Sequence, residues 1–234
     1  MQVSLFGLSG DFESIAAQTL AAEEAGFDAV LFGEHHGAPM HRHPQLLILL
    51  AGLAARTSRI RLGTSIVLSG LYDPVHLAEM SAMVDQNSGG RLILGLGLGY
   101  QPQDFNHFAV PFNQRLSRFE ESIEILRRAW TEERFSLAGK RFNYGNVAVY
   151  PKPLQSPHPP LWLAAWSEAG AVRAGRLGDA YVTDPIQSFT AVSAFNTAYR
   201  ASAAAAGRAP NVVLMREILC APGRHAAIER YGDG

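Results

Sequence analysis

DPVHLAEMSAMVDQNSGGRLILGLGLGY, residues 73–100, contains a complete helix-to-strand passage with its own punctuation. Asp73 is placed to cap a helix, and Pro74 suits its first position, where a missing N–H costs nothing. The apolar spacing runs to about Gln86, and Ser88-Gly89-Gly90 stops it. Arg91–Leu96 then reads as a buried strand running into alternating glycines, GLGLGY (95–100). The same alternation extends in both directions. Strands are predicted near residues 3, 28, 60, 91, 161, 180 and 212, the third spanning Ile60–Leu68 and the seventh ending near Leu219. Helices are predicted over 11–26 (capped by Asp11), 45–56, 114–130, 167–177 and 185–206, with a further one beginning at 225–230. Residues 135–149 read as an inserted β-hairpin and 100–113 as irregular.

Strands and helices alternating at this spacing imply parallel βαβ units. The first strand-to-helix turn, LSGDFES, has no G-x-G-x-x-G fingerprint, which favours a barrel over a doubly wound sheet. The expected fold is therefore α/β, a TIM (β/α) barrel in a single domain over residues 1–234. A full (β/α)8 barrel takes about 250 residues. With seven strands in hand, the eighth strand and helix are expected to be missing at the C-terminus, leaving open edges on strands one and seven.

Composition narrows the function classes. Twenty Lys+Arg stand against 21 Asp+Glu, a formal charge of −1, so no basic surplus points to nucleic acid or an anionic membrane surface. The single Cys220 allows no intrachain disulfide and suits a reducing compartment. No apolar run approaches the roughly 18–20 residues of a spanning helix, and the first residues have no signal-peptide pattern. These features point to a cytoplasmic globular protein with neither nucleic acid nor membrane as partner.

A parallel barrel carries its chemistry at the C-terminal ends of its strands. Strand two ends in Gly33-Glu34-His35-His36, strand three in Thr64-Ser65-Ile66-Val67-Leu68, strand four in the glycine run and strand five in Ala165-Trp166-Ser167-Glu168. Imidazole is the natural proton carrier near neutral pH, so the Glu-His-His is either a catalytic group or a pair of loop histidines. The glycines either admit a ligand to the backbone or pack strand against helix. Ser167 opens a helix, as part of an anion site or as an N-cap alone. Trp162, Trp166 and Phe189 are expected in the core. Phe119, Ile123, Leu126 and Trp130 form one buried stripe flanked by a Glu124–Arg128 pair. Arg115, Arg118, Glu120 and Glu121 are expected to form a solvated helix start.

Several stretches together resemble the bacterial-luciferase-like flavin monooxygenases: AAEEAGFDAVLFGEHH (21–36), SRIRLGTSIVL (58–68), the run from Asp73 to Phe105, RFEESIEIL (118–126) and PPLWLAAWSEAGAVRAGRLGDAYV (159–182). The resemblance implies a TIM barrel, usually a homodimer, that takes reduced FMN from a separate flavin reductase. It implies that O2 reacts through a peroxyflavin to oxidise a small organic substrate. It makes His35 the catalytic histidine and places Glu34, Thr64, Ser65 and Ile66 at the flavin ring. It assigns Gly97, Leu98, Gly99, Tyr100, Trp166, Ser167 and Gly170 to the flavin and its phosphate. Three positions depart from the pattern. Leu98 stands where many relatives carry a phosphate-binding Arg, Gly97 where luciferases carry a Cys, and Trp166 where a Glu often precedes the Ser.

Three other readings share these residues. One is hydride transfer with a deazaflavin cofactor, and another is a non-catalytic flavin-binding protein or an inactive, truncated barrel. The third is a metal-dependent hydrolase built on His35, His36, His41 and His43; His76, His107, His158 and His225 fall in predicted helices or loops and offer it no further ligands, so no metal is expected.

Overall fold

In the computed structural model, residues 2–37, 43–218 and 220–232 are described. The elements in chain order are β1 (Ser4–Phe6), α1 (Phe12–Glu24), β2 (Ala29–Phe32), α2 (Leu46–Ala54), β3 (Arg61–Thr64), β4 (Val67–Leu68), α3 (Pro74–Asn87) and β5 (Leu92–Gly97). There follow α4 (Pro102–His107), α5 (Arg115–Thr131), β6 (Phe135–Ala138), β7 (Asn143–Val147), β8 (Leu161–Ala164), α6 (Glu168–Leu177), β9 (Ala180–Val182), α7 (Phe189–Ala205), β10 (Val212–Val213) and α8 (Arg224–Gly232).

The main sheet is parallel throughout, in the order β1-β2-β3-β5-β8-β9-β10, with β4 also pairing β5. Among the described residues β1 and β10 do not pair with each other, so the curled sheet is an open, incomplete barrel. Strands β6 and β7 form the separate antiparallel hairpin expected from the sequence.

Alternation along each strand sorts the core into two layers. Ala29, Leu31, Ile93, Trp162, Ala180 and Val182 point into the concave side and pack on one another. Val30, Phe32, Leu62, Leu92, Leu94 and Leu161 point outward into a larger core, where Ile15, Leu50, Leu77, Ile123 and Leu126 of the helices meet them. Each such side chain contributes about 1.5–3 kcal/mol by leaving water. Gly63 sits where a Cβ would strike the Leu31 side chain, which lets β2, β3 and β5 keep their register.

The caps behave as read. Asp73 Oδ1 accepts from Val75 N at 2.9 Å and His76 N at 3.2 Å, Asp11 Oδ1 accepts from Ser14 N at 2.9 Å, and Gly89 and Gly90 leave α3 at φ of 67° and 80°. Elsewhere the structure corrects the sequence. Ile60–Leu68 is two short strands separated by Ser65 and Ile66, where Ser65 N still donates to Phe32 O at 2.7 Å and Ile66 O accepts from Glu34 N at 3.2 Å. The stretch 100–113 holds α4. Trp162 is in the core, but Trp166 and Phe189 are 44% and 73% exposed, since both fall in loop-to-helix turns at the rim. The start of α5 is not a solvated face. Arg118 Nε donates to Gly70 O at 2.6 Å, Glu121 accepts from the amides of Lys140, Arg141 and Phe142, and Glu120 binds two arginines. The predicted end of the seventh strand, Leu219, lies outside the described residues.

Buried or half-buried charges tie down the end of the sheet opposite the site. Arg91 donates to the carbonyls of Ala54, Thr57, Ile60 and Ser88 and to the Thr57 hydroxyl, clamping the end of α2 to the start of β3. Asp85 accepts from Leu154 N, Gln155 N and Gln155 Nε2, which fixes the proline-rich segment before β8. Glu23 accepts from the amides of Ser58, Arg59 and Ile60. Burial alone would raise the Glu23 carboxyl, but those amides and the Ser58 hydroxyl outweigh it and hold it at about 2.

A depressed carboxyl adds stability above its ordinary value and loses it as pH falls. For Glu23 that window runs from 4.5 down to about 2. Urea denaturation of Glu23→Gln at pH 7 should show a loss of about 1–3 kcal/mol. The variant should also lack part of the wild-type decline in stability across the acid window.

Candidate active site

At the C-terminal ends of β1, β2, β5, β8 and β9 the concave side opens into a cavity of about 520 Å³. That volume lies in the range of small-molecule sites, about 300–1,000 Å³. Phe6, Ile66, Leu68, Leu98, Leu163 and Met215 give it apolar walls, and Ser9, His35, Ser65, Ser167, Arg173 and Asp184 supply polar groups.

Two buried carboxylates organise one side of the rim. Glu34, 2% exposed, follows β2 and turns its side chain into the protein. Its Oε1 accepts from Tyr72 Oη at 2.7 Å and faces His36 Nε2 at 2.6 Å, while Oε2 accepts from Leu68 N at 2.7 Å. Burial, and then the charge and hydrogen bond of Glu34, push the Tyr72 phenol well above its usual range. Asp104, 1% exposed, arrives from α4. Its Oδ1 accepts from His36 N at 3.1 Å and its Oδ2 lies 3.4 Å from His35 Nδ1. His35 is thereby held by a carboxylate 69 residues away, with about a quarter of its side chain exposed to the cavity and its ring edge-on to Tyr100.

The remaining predicted residues divide by what they touch. Ser65, Ile66, Gly97, Leu98, Gly99, Tyr100, Trp166, Ser167 and Gly170 line the cavity with His35 and Glu34. Thr64 does not. Its hydroxyl donates to Gly95 O at 2.7 Å and accepts from Gly95 N at 2.8 Å, joining β3 to β5 beneath the floor. Gly95 and Gly97 serve close packing, because a Cβ on either would collide with Thr64 or Ile66. The Tyr100 and Trp166 rings, 4.7 Å apart, stand half-exposed at the mouth. Ser167 caps α6, its Oγ accepting from Gly170 N at 3.2 Å, which leaves the hydroxyl proton available to a ligand.

The histidines point three ways. His36 turns to Glu34, His35 faces Asp104, and His43 Nε2 lies 3.2 Å from Leu8 O. His41 lies outside the described residues. Among the described residues no three His, Cys, Asp or Glu gather as metal ligands would, and no helix is long and apolar enough to cross a membrane.

The sequence reading missed Asp104, Arg173, Asp184 and Met215. Arg173 had a usable signal, since it follows Gly170 by three residues on the same helix face. Asp104 had none, because only folding brings it to His35.

Residues 3–233 match the luciferase-like monooxygenase family. The chain belongs to that family. An FMNH2-dependent dimethylsulfone monooxygenase of Pseudomonas putida is 32% identical over 198 residues, 82% of this chain and 53% of that protein. An F420-dependent glucose-6-phosphate dehydrogenase of Kineococcus radiotolerans is 33% identical over 177 residues, 72% of this chain and 51% of that protein. The crystal structure of monooxygenase RslO1 from Streptomyces bottropensis superposes with a TM-score of 0.88 at 31% identity, covering 99% of this chain and 75% of that one. The chain thus spans about half the length of the curated relatives it matches.

The Thr64 geometry gives a direct test within this family member. Thr64→Val leaves both polar groups of Gly95 without their side-chain partner, so chemical denaturation should show a loss of about 1–3 kcal/mol.

Proposed function

We propose that this family member is an FMN-dependent monooxygenase that binds reduced flavin in the rim cavity and uses O2 to oxidise a small, largely apolar substrate. The observation that carries the reading is the convergence on one cavity of a carboxylate-held histidine, apolar walls and a helix N-terminus capped by a serine. A flat ring with apolar faces and an anionic tail fits those walls and that helix start, and the histidine adds a proton carrier beside it. Ile66, Leu68 and Leu163 would hold the ring, and Ser167 with the first amides of α6 would hold the phosphate.

Bound reduced flavin would supply the two electrons with which O2 gives one oxygen atom to substrate, the other leaving as water with two protons. The chain does the rest. Its apolar walls keep water from the reacting atoms, and the Tyr100–Trp166 pair narrows the mouth. His35 holds or moves a proton at the substrate or the ring, and Asp104 fixes the angle of its imidazole. Glu34 positions rather than binds, since its oxygens face Tyr72, His36 and the Leu68 amide.

Hydride transfer with a deazaflavin is the second reading, supported by the similarity to F420-dependent dehydrogenases over about 70% of the chain. Parallel fluorescence titrations separate the two. Reduced FMN should bind at least about tenfold more tightly than the deazaflavin, a difference of about 1.4 kcal/mol. The reverse order, without substrate-dependent O2 uptake, would favour hydride transfer.

His35→Ala should lower turnover by about 10²–10⁴-fold while flavin affinity stays within about threefold. Asp104→Asn should lower kcat by about tenfold with little change in flavin affinity, because it loosens His35 without touching the flavin.

A further inference from the structure

A phosphate monoester held in a largely apolar cavity needs more than amide dipoles. A helix N-terminus offers the equivalent of about half a charge, against nearly two on the ligand. At the end of β5, where a cation is expected from the resemblance, Leu98 offers none. Glu34 and Asp184 also line the cavity, so its described acids oppose an anion. Among the described lining residues one carries a permanent positive charge, and that is Arg173.

Resting on the flavin reading above, we infer that Arg173 is the cationic partner of the flavin phosphate, doing from α6 what Leu98 cannot do from the end of β5. Three features support the assignment. The first is position: Gly170, Arg173 and Ala174 follow the Ser167 cap on one face of α6, and all line the cavity. Arg173 also borders a surface groove formed with Glu120, Glu168, Ala169, Val172 and Arg176, so its side chain lies between the cavity and solvent.

The second is donor supply. Arg173 Nε donates to Glu120 Oε1 at 2.9 Å, and among the described residues its two terminal nitrogens have no hydrogen-bond partner. A guanidinium carries five N–H groups in a planar fork, so a monoester can take two of them without displacing Glu120. The third is local charge. Arg176 Nη2 reaches the same Glu120 oxygen at 2.9 Å, so two arginines share one carboxylate. Glu168, on the same groove, forms an ion pair with neither. Arg173 is therefore not neutralised by a carboxylate of its own, and it lies beside the cavity end that Ser167 already marks as a donor surface.

The test compares FMN with riboflavin, which has the same ring and no phosphate. In the wild type FMN should bind about 10–100-fold more tightly, as charge-assisted hydrogen bonds imply. Arg173→Met should erase most of that preference by weakening FMN, with riboflavin affinity within about twofold. Its retained riboflavin affinity also reports that the variant is folded. Glu120→Gln keeps both arginines and removes their shared carboxylate, so it should leave FMN unchanged or tighten it by up to about fivefold.

Arg173→Met weakening both flavins alike, or neither, would overturn the assignment. So would a wild type that does not distinguish the two flavins, or Glu120→Gln losing both, which would make the ion pair a structural brace. A wild type that binds no flavin at all would remove the proposed function and this inference together. FMN binding that is indifferent to Arg173 would remove the inference alone.

Discussion

A carboxylate without water must be surrounded by donors, and at the end of β2 that requirement sets the geometry of the whole rim. Glu34 draws Tyr72 in from the segment before α3, the Leu68 amide from β4 and the His36 ring from its own strand end. With His36 turned inward, its backbone amide is aimed at Asp104, and Asp104 in turn faces His35. Adjacent histidines therefore have opposite fates, one buttressing and one facing the cavity. Two carboxylates and five protein groups form one connected network, so moving any member shifts the atom that would handle a proton.

This network explains what was and was not legible in the sequence. The parallel alternation was readable because each unit carries its own caps and stops: Asp11, Asp73 with Pro74, Gly89-Gly90 and Ser167 act on neighbouring residues alone. The strand ends followed from that alternation, so the lining that comes from the ends of β2, β5 and β8 was readable too. The contacts within the rim were not, because they join residues far apart in the chain. Thr64 has the residue type of a ligand donor, yet its hydroxyl bridges to Gly95. Trp166 and Phe189 have the composition of core residues but fall at turns, where the backbone carries them outward. Glu120 and Glu121 lie on a helix start that looks solvated until the β6–β7 hairpin and α6 are packed against it.

The two ends of the sheet use charge differently. Opposite the site, Glu23, Asp85 and Arg91 are occupied mainly by backbone groups, with Ser58, Gln155 and Thr57 side chains beside them, an arrangement that fixes loops. At the rim the groups are arranged with donors in reserve: Ser167 keeps its hydroxyl proton and Arg173 its terminal nitrogens. This asymmetry is the electrostatic form of the division, general to parallel barrels, between a stabilising face and a reactive one.

Placing the cation on α6 rather than on the strand-end loop changes what controls it. A side chain at position 98 would follow the backbone after β5, where Gly99 turns at φ of 72°. Arg173 instead follows a helix, and its Nε donates to Glu120 of α5, so its charge sits between those two helices. Glu120 also holds Arg176, which means that any anion drawing on Arg173 redistributes charge over both helices. Phe119, next to Glu120 on α5, forms part of the cavity wall, so the residue that pairs with Arg173 adjoins one that shapes the apolar side.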